Sequence, residues 1–370
     1  MPIFSNIRNS AQIMVIGARG IPNVEGGAEK NAEALFPRVV KAGYMVDLLG
    51  LASHLRGKEY EGVRLHPAPH LTFWNTDKLL YYVFALRKAL GLRPDIVHLQ
   101  GLGAAIFLIF YKVLGFKVVV RYGSADYILG KWGVLGRLGF RFSEWQLRFA
   151  DAIISVTPAL SRRLAQRGIV SNVHTIPNAL DDAAFVASSH NGVAPYILVV
   201  GRVTSQKNIL TLIDAFNLFA ASHPDYELHI AGGLDDRPYC AVVAEKLNDK
   251  IRLLGKVPRN EVPSLLSSAK FFVNISLHEG SSNASLEAIS HGLPIVLSDI
   301  PENRDIGLAD TIYVSPNDPE AIAAKFHAVT EDPTSYIVDK QRFLSWEQVA
   351  EKTLDVYGAV LRKTSKEAGA

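Results

Sequence analysis

The chain has 370 residues, 48% of them hydrophobic and 20% charged, with no compositionally disordered stretch; at this length one core ordinarily splits, so two α/β-sized domains are expected. A net charge of only +3 gives no reason to expect a nucleic-acid partner. The single cysteine, Cys240, excludes an intramolecular disulfide, and no signal-peptide pattern opens the chain, so a reducing cytoplasm is the expected setting.

Short Val/Ile/Leu-rich runs then alternate with helical periodicity. Gln12–Ile16, Met45–Leu49, Asp95–Leu99, Lys117–Val120 and Ala152–Val156 read as buried parallel strands. Between the first two, Ala28, Ala32, Leu35, Phe36, Val39 and Val40 recur at helical spacing before a stop at Gly43, which makes a β-α-β unit. The most apolar run, Leu102–Leu114, is interrupted by Lys112 and is shorter than the ~20 residues of a spanning helix, so it reads as a buried helix. Around 178–194 the pattern lapses into a linker-like composition. A second sheet follows, with strands expected at Tyr196–Val200, Glu227–Ala231, Ile251–Leu254, Phe271–Ile275, Pro294–Leu297 and Ile312–Val314.

Three loops can carry chemistry. Glu279, Gly280, Ser281, Ser282, Asn283, Ala284, Ser285, Leu286 and Glu287 follow an apolar strand and run into a helix, so two carboxylates bracket a strand-to-helix turn. Ser282 is an N-cap candidate, and the N–H groups after it would point toward a bound phosphate or sugar oxygen. Ionised carboxylates accept hydrogen bonds from vicinal hydroxyls, so one glutamate on a hexose and one on a ribose is a sensible pair; two solvated helix-end glutamates are the alternative. The second loop, Gly201 to Asn208, offers Arg202 and Lys207 as two cations able to grip a diphosphate, and it lacks the Gly-Lys-Ser/Thr of a nucleoside triphosphatase. In the third, Gly17 to Glu29, the glycines at 26 and 27 remove side chains where backbone could approach a ligand at a helix N-terminus. The glycine spacing is not that of a dinucleotide fingerprint, which argues against an oxidoreductase. No Asp-x-Asp and no His/Cys cluster at ligand spacing occurs, and His66 and His70 are split by Pro67 and Pro69, so neither a metal nor any other cofactor is expected.

The order and spacing of these loops resemble the GT-B glycosyltransferases of the large retaining family 4, most strongly from Tyr196 to Arg304. The resemblance implies two doubly wound Rossmann-like α/β domains facing across a cleft: an acceptor-side domain at 1–183, a nucleotide-sugar-binding domain at 184–354, and a last helix, about 355–370, returning to the first. It implies that Arg202 and Lys207 hold the donor diphosphate, Glu279 the transferred sugar and Glu287 the ribose. Gly201, Gly280, Ser282 and Asn283 would line the donor site, Gly255 to Val257 would meet the nucleobase, and Gly26 and Gly27 would let the first domain close over the phosphates. The implied reaction moves a hexosyl group from a UDP- or GDP-sugar to a saccharide hydroxyl; a 2-epimerase of the same fold, a soluble-acceptor transferase and a non-catalytic nucleotide-sugar sensor are the other readings. Many members have a histidine after the strand Lys117–Val120, where this chain reads Arg121, Tyr122, Gly123, Ser124, Ala125, Asp126. Tyr122 or Asp126 could substitute, or stand as a core tyrosine and a capping aspartate. His98, at a strand end, could face the ligand or be a satisfied structural histidine.

Charge divides unevenly: residues 1–190 hold 22 Lys/Arg against 13 Asp/Glu, and residues 191–370 hold 17 against 23. In the first half, Lys131, Arg137, Arg141 and Arg148 interleave with Trp132, Leu135, Leu138, Phe140, Phe142, Trp145, Leu147 and Phe149. Such a mixture suits an anionic membrane surface, here the inner leaflet, and a lipid-linked saccharide acceptor. Glycines at 130, 133, 136 and 139 make a continuous helix there unexpected.

Overall fold

The computed structural model describes residues 11–69, 77–125, 133–180 and 194–367. The chain divides into two compact units, one running to Asn178 and resuming at Trp346, the other formed by Ala179–Ser345. Most of the linker expected at 178–194 lies outside the described residues, as do His70, Asp126, Lys131 and Trp132. The second unit ends at Ser345 rather than 354. The cause is the last helix, which buries Val349, Ala350, Thr353, Val356, Tyr357 and Val360 and packs on the first helix from its start.

The first unit runs β1 (Gln12–Ile16), α1 (Gly27–Lys41), β2 (Met45–Leu51), β3 (Glu59–Tyr60), β4 (Val63–Ala68), α2 (Asp77–Leu92), β5 (Ile96–Gln100), α3 (Leu108–Val113), β6 (Lys117–Tyr122), α4 (Val134–Gln146), β7 (Ala152–Ser155), α5 (Pro158–Gln166) and β8 (Val173–Thr175). Among the described residues its sheet is ordered β3-β4-β2-β1-β5-β6-β7-β8, parallel except for the β3–β4 pair. Side chains alternate between two helical layers. Met14, Ile16, Val97, Leu99, Val118 and Val120 cluster with Tyr81 and Ala85 of α2 and Leu108 of α3. The opposite parity, represented by His98, meets Phe36 of α1 and Tyr357 of the last helix.

The second unit runs β9 (Tyr196–Val200), α6 (Ile209–Ala220), β10 (Glu227–Ala231), α7 (Arg237–Glu245), β11 (Ile251–Gly255), α8 (Val262–Ser268), β12 (Phe271–Asn274), α9 (Asn283–Ser290), β13 (Ile295–Ser298), α10 (Pro301–Arg304), β14 (Tyr313–Val314) and α11 (Pro319–Glu331); α12 (Trp346–Glu367) closes the chain on the first unit. The second sheet is wholly parallel, in the order β11-β10-β9-β12-β13-β14. The chain winds outward from β9 to one edge and resumes at β12 beside β9, with Ile197 opposite Phe271. That reversal makes the β9–β12 junction the topological switch point, where open α/β sheets bind ligands beyond the strands' carboxyl ends.

Two elements depart from the sequence reading. The apolar run at 102–114 is not a buried helix: a short 3-10 turn at Ala104–Phe107 leads into α3, which buries Leu108 and Tyr111 but exposes Phe110 and Val113. And α4 continues through Gly136 and Gly139, because tertiary packing on the 3-10 turn before α3 overrides the glycine cost, Gly139 lying against Ile106.

His98 is fully buried, and burial, with the charge of Arg121 adding to it, pushes its imidazole down to about 3. The unfolded chain takes up that proton near 6.5 and the folded chain does not, so stability is full above that value and declines as pH falls from 6.5 toward 3. Urea midpoints at pH 7 and pH 5 should therefore differ in the wild type, and His98→Gln should remove most of the difference while lowering both midpoints. An equal drop in wild type and variant would refute this assignment.

Candidate functional site

The two loops richest in functional side chains leave β9 and β12, the neighbouring strands of the switch point. After β9, Gly201 donates its N–H to the Ala231 carbonyl at 2.9 Å, and Val203 donates to Gly233 at 2.9 Å. A 3-10 turn, Ser205–Lys207, then presents Lys207, and Asn208 in the left-handed region (φ 56°) starts α6. Gly201 itself has φ 156°, and a Cβ there would lie 3.1 Å from Lys207 Cε, so the lysine stem rests on bare backbone.

The β12 loop is stitched to this turn through Gln206. Its Nε2 donates to the His278 carbonyl at 2.9 Å, and its own carbonyl accepts from Leu277 N at 2.9 Å. Glu279 is thereby brought to Lys207, with Nζ 2.5 Å from Oε1. Asn274 Nδ2 donates to the same Oε1 at 3.1 Å and to the hydroxyls of Ser282 and Ser285 at 3.0 and 3.2 Å. Ser282 is the N-cap of α9, its Oγ accepting from Ser285 N at 3.3 Å. The side chain of His278 reaches Glu302 at the start of α10, Nδ1 to Oε1 2.8 Å.

Glu279 is only 6% exposed. Burial by itself would raise its carboxyl, but the charge of Lys207 and hydrogen bonds from Lys207, Ser276 and Asn274 outweigh burial and hold it below the usual carboxylate range. It is an ionised acceptor at neutral pH and a poor proton donor. Arg202 stands exposed on the β9 loop without an ion pair among the described residues, and Glu287 lies half-buried along α9. Gly280 is buried beside Glu279, and Asn283 opens α9. Val257 packs partly buried on the core of the second unit, after Gly255, whose carbonyl accepts from Gly232 N at 2.8 Å.

The first-unit candidates are placed differently. Gly26, with φ 130°, caps α1, and a Cβ there would fall 2.0 Å from Glu29 Oε2. Glu29 is held by Arg19, whose Nε donates to Oε1 at 2.9 Å and whose Nη2 donates to the Glu25 carbonyl, so the glycine at 26 has a local packing cause; Gly27 is exposed at the first turn. Tyr122 is not open to a ligand. It is a core residue whose hydroxyl donates to Glu144 Oε1 at 2.5 Å, and the buried Glu144 is neutralised by Arg163 and Arg167. His98 is likewise internal, its Nδ1 2.7 Å from the Tyr357 hydroxyl. Among the described residues no group of three or more His, Cys, Asp or Glu gathers as for a metal ion.

Asn274, Ser276 and the His278–Glu302 pair escaped the sequence reading. The one available signal was an asparagine ending the apolar run Phe271–Val273 at the mouth of a ligand-bearing turn.

Residues 25–184 match the family model described as Glycosyltransferase Family 4, and residues 194–332 match that described as Glycosyl transferases group 1. The chain belongs to the family 4 glycosyltransferases. Among curated members of this glycosyltransferase family, it is 24% identical over 381 residues to a phosphatidylinositol N-acetylglucosaminyltransferase polypeptide of Arabidopsis thaliana, an alignment covering 96% of this chain and 83% of that one. It is 25% identical to GDP-mannose:cellobiosyl-diphosphopolyprenol alpha-mannosyltransferase of Xanthomonas campestris, over 52% of this chain and 54% of that one. Its fold is that of sucrose-phosphate synthase from Thermosynechococcus elongatus, with a TM-score of 0.76 at 18% identity over 95% of this chain and 100% of that one. Two Rossmann-like domains with parallel sheets are thus the GT-B architecture.

The Lys207–Glu279 pair makes a stability prediction for this glycosyltransferase. Lys207→Ala leaves an enclosed carboxylate without its cation and should cost ~3 kcal/mol, whereas Glu279→Gln leaves a lysine whose side chain is 19% exposed and can turn to water, at a smaller cost. Because the folded-state value of Glu279 is lowered, the stabilisation is complete above the ordinary carboxylate range and is lost as pH falls through the lowered value. Chemical denaturation of both variants at neutral pH checks the order; equal losses would show that the pair is not the source.

Proposed function

We propose that this glycosyltransferase moves a hexosyl group from a UDP- or GDP-sugar to a hydroxyl of a lipid-linked saccharide, with retention at the anomeric carbon and without a metal ion. The observation carrying the reading is the Lys207–Glu279 contact at the carboxyl ends of β9 and β12, where a cation for phosphate and an ionised acceptor for sugar hydroxyls stand side by side. The donor's diphosphate gains charge as the bond from C1 to its oxygen breaks. Arg202, Lys207 and the first N–H groups of α9 after Ser282 and Asn283 stabilise that charge, with backbone approach eased at Gly201 and Gly280. Glu279 accepts from hydroxyls of the transferred sugar, Glu287 from the ribose, and the backbone around Val257 meets the base. Gly26 and Gly27 give the phosphates a further backbone approach. The acceptor hydroxyl attacks C1 on the leaving group's face and its proton passes to a diphosphate oxygen, so no protein nucleophile or resident cofactor is required.

A lipid-linked acceptor is supported by the surface of the first unit. Val134, Leu135, Leu138, Phe142 and Trp145 of α4 are all exposed, as are Phe110 and Val113 of the adjoining α3. Arg137, Arg141 and Arg148 stand among them, Arg148 5.3 Å over the Trp145 ring. Among the described residues no helix is long and apolar enough to cross a membrane, so contact with the inner leaflet would be peripheral. Phosphatidylinositol and a diphosphopolyprenol in the names of the two curated relatives are lipids of the kind proposed.

Glu279→Gln should lower turnover on the order of a hundredfold with the fold intact, and Glu287→Ala should weaken donor binding first. Donor affinity by thermal shift across UDP- and GDP-sugars, with turnover measured in parallel, checks both; near-wild-type rates in Glu279→Gln would mean the donor site is elsewhere. At ~1 kcal/mol per cation, the triple change of Arg137, Arg141 and Arg148 to Gln should release the protein from anionic liposomes at low salt. Undiminished co-sedimentation would sink the membrane reading and favour a soluble acceptor.

A further inference from the structure

Arg121, in β6, lies opposite Gln100 of β5 on the sheet face covered by α1 and α12, and only 3% of it is exposed. Its Nη2 donates to Asn178 Oδ1 at 2.6 Å, a neutral partner, and among the described residues it forms no ion pair. Burial lowers its guanidinium only to about 10, so the group is cationic at neutral pH. Glu144, the other enclosed charge of this unit, has two arginines of its own; among the described residues Arg121 has no counter-charge of comparable kind. An enclosed charge without compensation is strongly disfavoured.

The unmet hydrogen bonds around Arg121 are of one kind. Among the described residues, Arg121 Nη1, Asn31 Nδ2 and His98 Nε2 are each buried without a hydrogen-bond partner. Gln100 Nε2 donates to Asn31 Oδ1 at 3.0 Å, which orients the amide so that its NH2 is the unpaired end. His98 lies two residues before Gln100 on the same face and within the electrostatic reach of Arg121. The Tyr357 phenol, its ionisation pushed up by burial, is protonated and donates to His98 Nδ1, which leaves the proton of the neutral imidazole on Nε2. Three donors, one on a cation, therefore lack an acceptor. A water molecule brings as many donors as acceptors, whereas an anion brings acceptors alone and cancels the charge. With Asn31, His98 and Arg121 all at or below 3% exposure, a bulky phosphate ester is excluded.

We infer that the first unit binds a small inorganic anion of the halide class between Arg121, Asn31 and His98, near the carboxyl ends of β5 and β6. The ion completes the contacts that tie α1 and α12 to the sheet.

Bromide is the probe. Crystals of the full chain grown in bromide should show an anomalous peak within hydrogen-bond reach of Arg121 Nη1 and Asn31 Nδ2. At constant ionic strength, chloride should raise the wild-type Tm over gluconate on the order of 2–4 °C, and Arg121→Gln should abolish that shift. Phosphate serves as the second arm, because an anion held at the nucleotide site would stabilise wild type and Arg121→Gln alike. A chloride effect that survives Arg121→Gln, or no bromide peak beside Arg121, overturns the inference. If the variant does not fold, the bromide position in the wild-type crystal decides alone.

Discussion

Burying Glu279 beside Lys207 imposes the main constraint on the second unit. A carboxylate 6% exposed stays ionised only where opposite charge and hydrogen bonds exceed the cost of leaving water, and here they come from three segments: Lys207 from the β9 loop, Asn274 from the end of β12, and Ser276 from the turn between. Those segments can meet only if β9 and β12 are neighbours, which the reversal of strand order provides. They can stay together only if the two loops do not move independently, and Gln206 locks them by donating to one loop and accepting from it. Sheet topology, loop stitching and the electrostatics of the site are thus one requirement seen at three scales.

The same reasoning separates what was legible in the sequence from what was not. All six strands of the second sheet were visible because a strand buried on both faces is a continuous apolar run, and the ligand-bearing loops were visible because charged and small residues interrupt those runs. Ser282 could be read as an N-cap because capping is local. The contact between Lys207 and Glu279 spans 72 positions and leaves no period behind it. Strand β4 was missed because Pro67 sits inside it, although it pairs in parallel with β2 from Asp47–Arg64 to Leu51–Ala68. Tyr122 was ambiguous for a similar reason: its role depends on Glu144, a partner 22 residues away and buried inside a helix whose glycines argued against the helix itself.

Where the positive charge of the first half goes is the last step. Its excess is not explained by phosphate binding, since the two cations on the switch-point loops belong to the acidic second half. Inside the first unit most cations are consumed locally: Arg64 on Asp47, Lys112 on Asp151, and Arg163 and Arg167 on Glu144. Arg19 is occupied by Glu29 at the start of α1. Arg137, Arg141 and Arg148 form no ion pair among the described residues, and they stand on the one helix whose outward face is also rich in large apolar side chains. A solvated helix ordinarily pairs outward cations with outward carboxylates, whereas α4 pairs them with Leu138, Phe142 and Trp145. Unpaired positive charge and exposed apolar area on the same face are each disfavoured in water and each favoured at an anionic lipid surface, so the charge asymmetry of the sequence and the exposure of α4 have a single physical explanation.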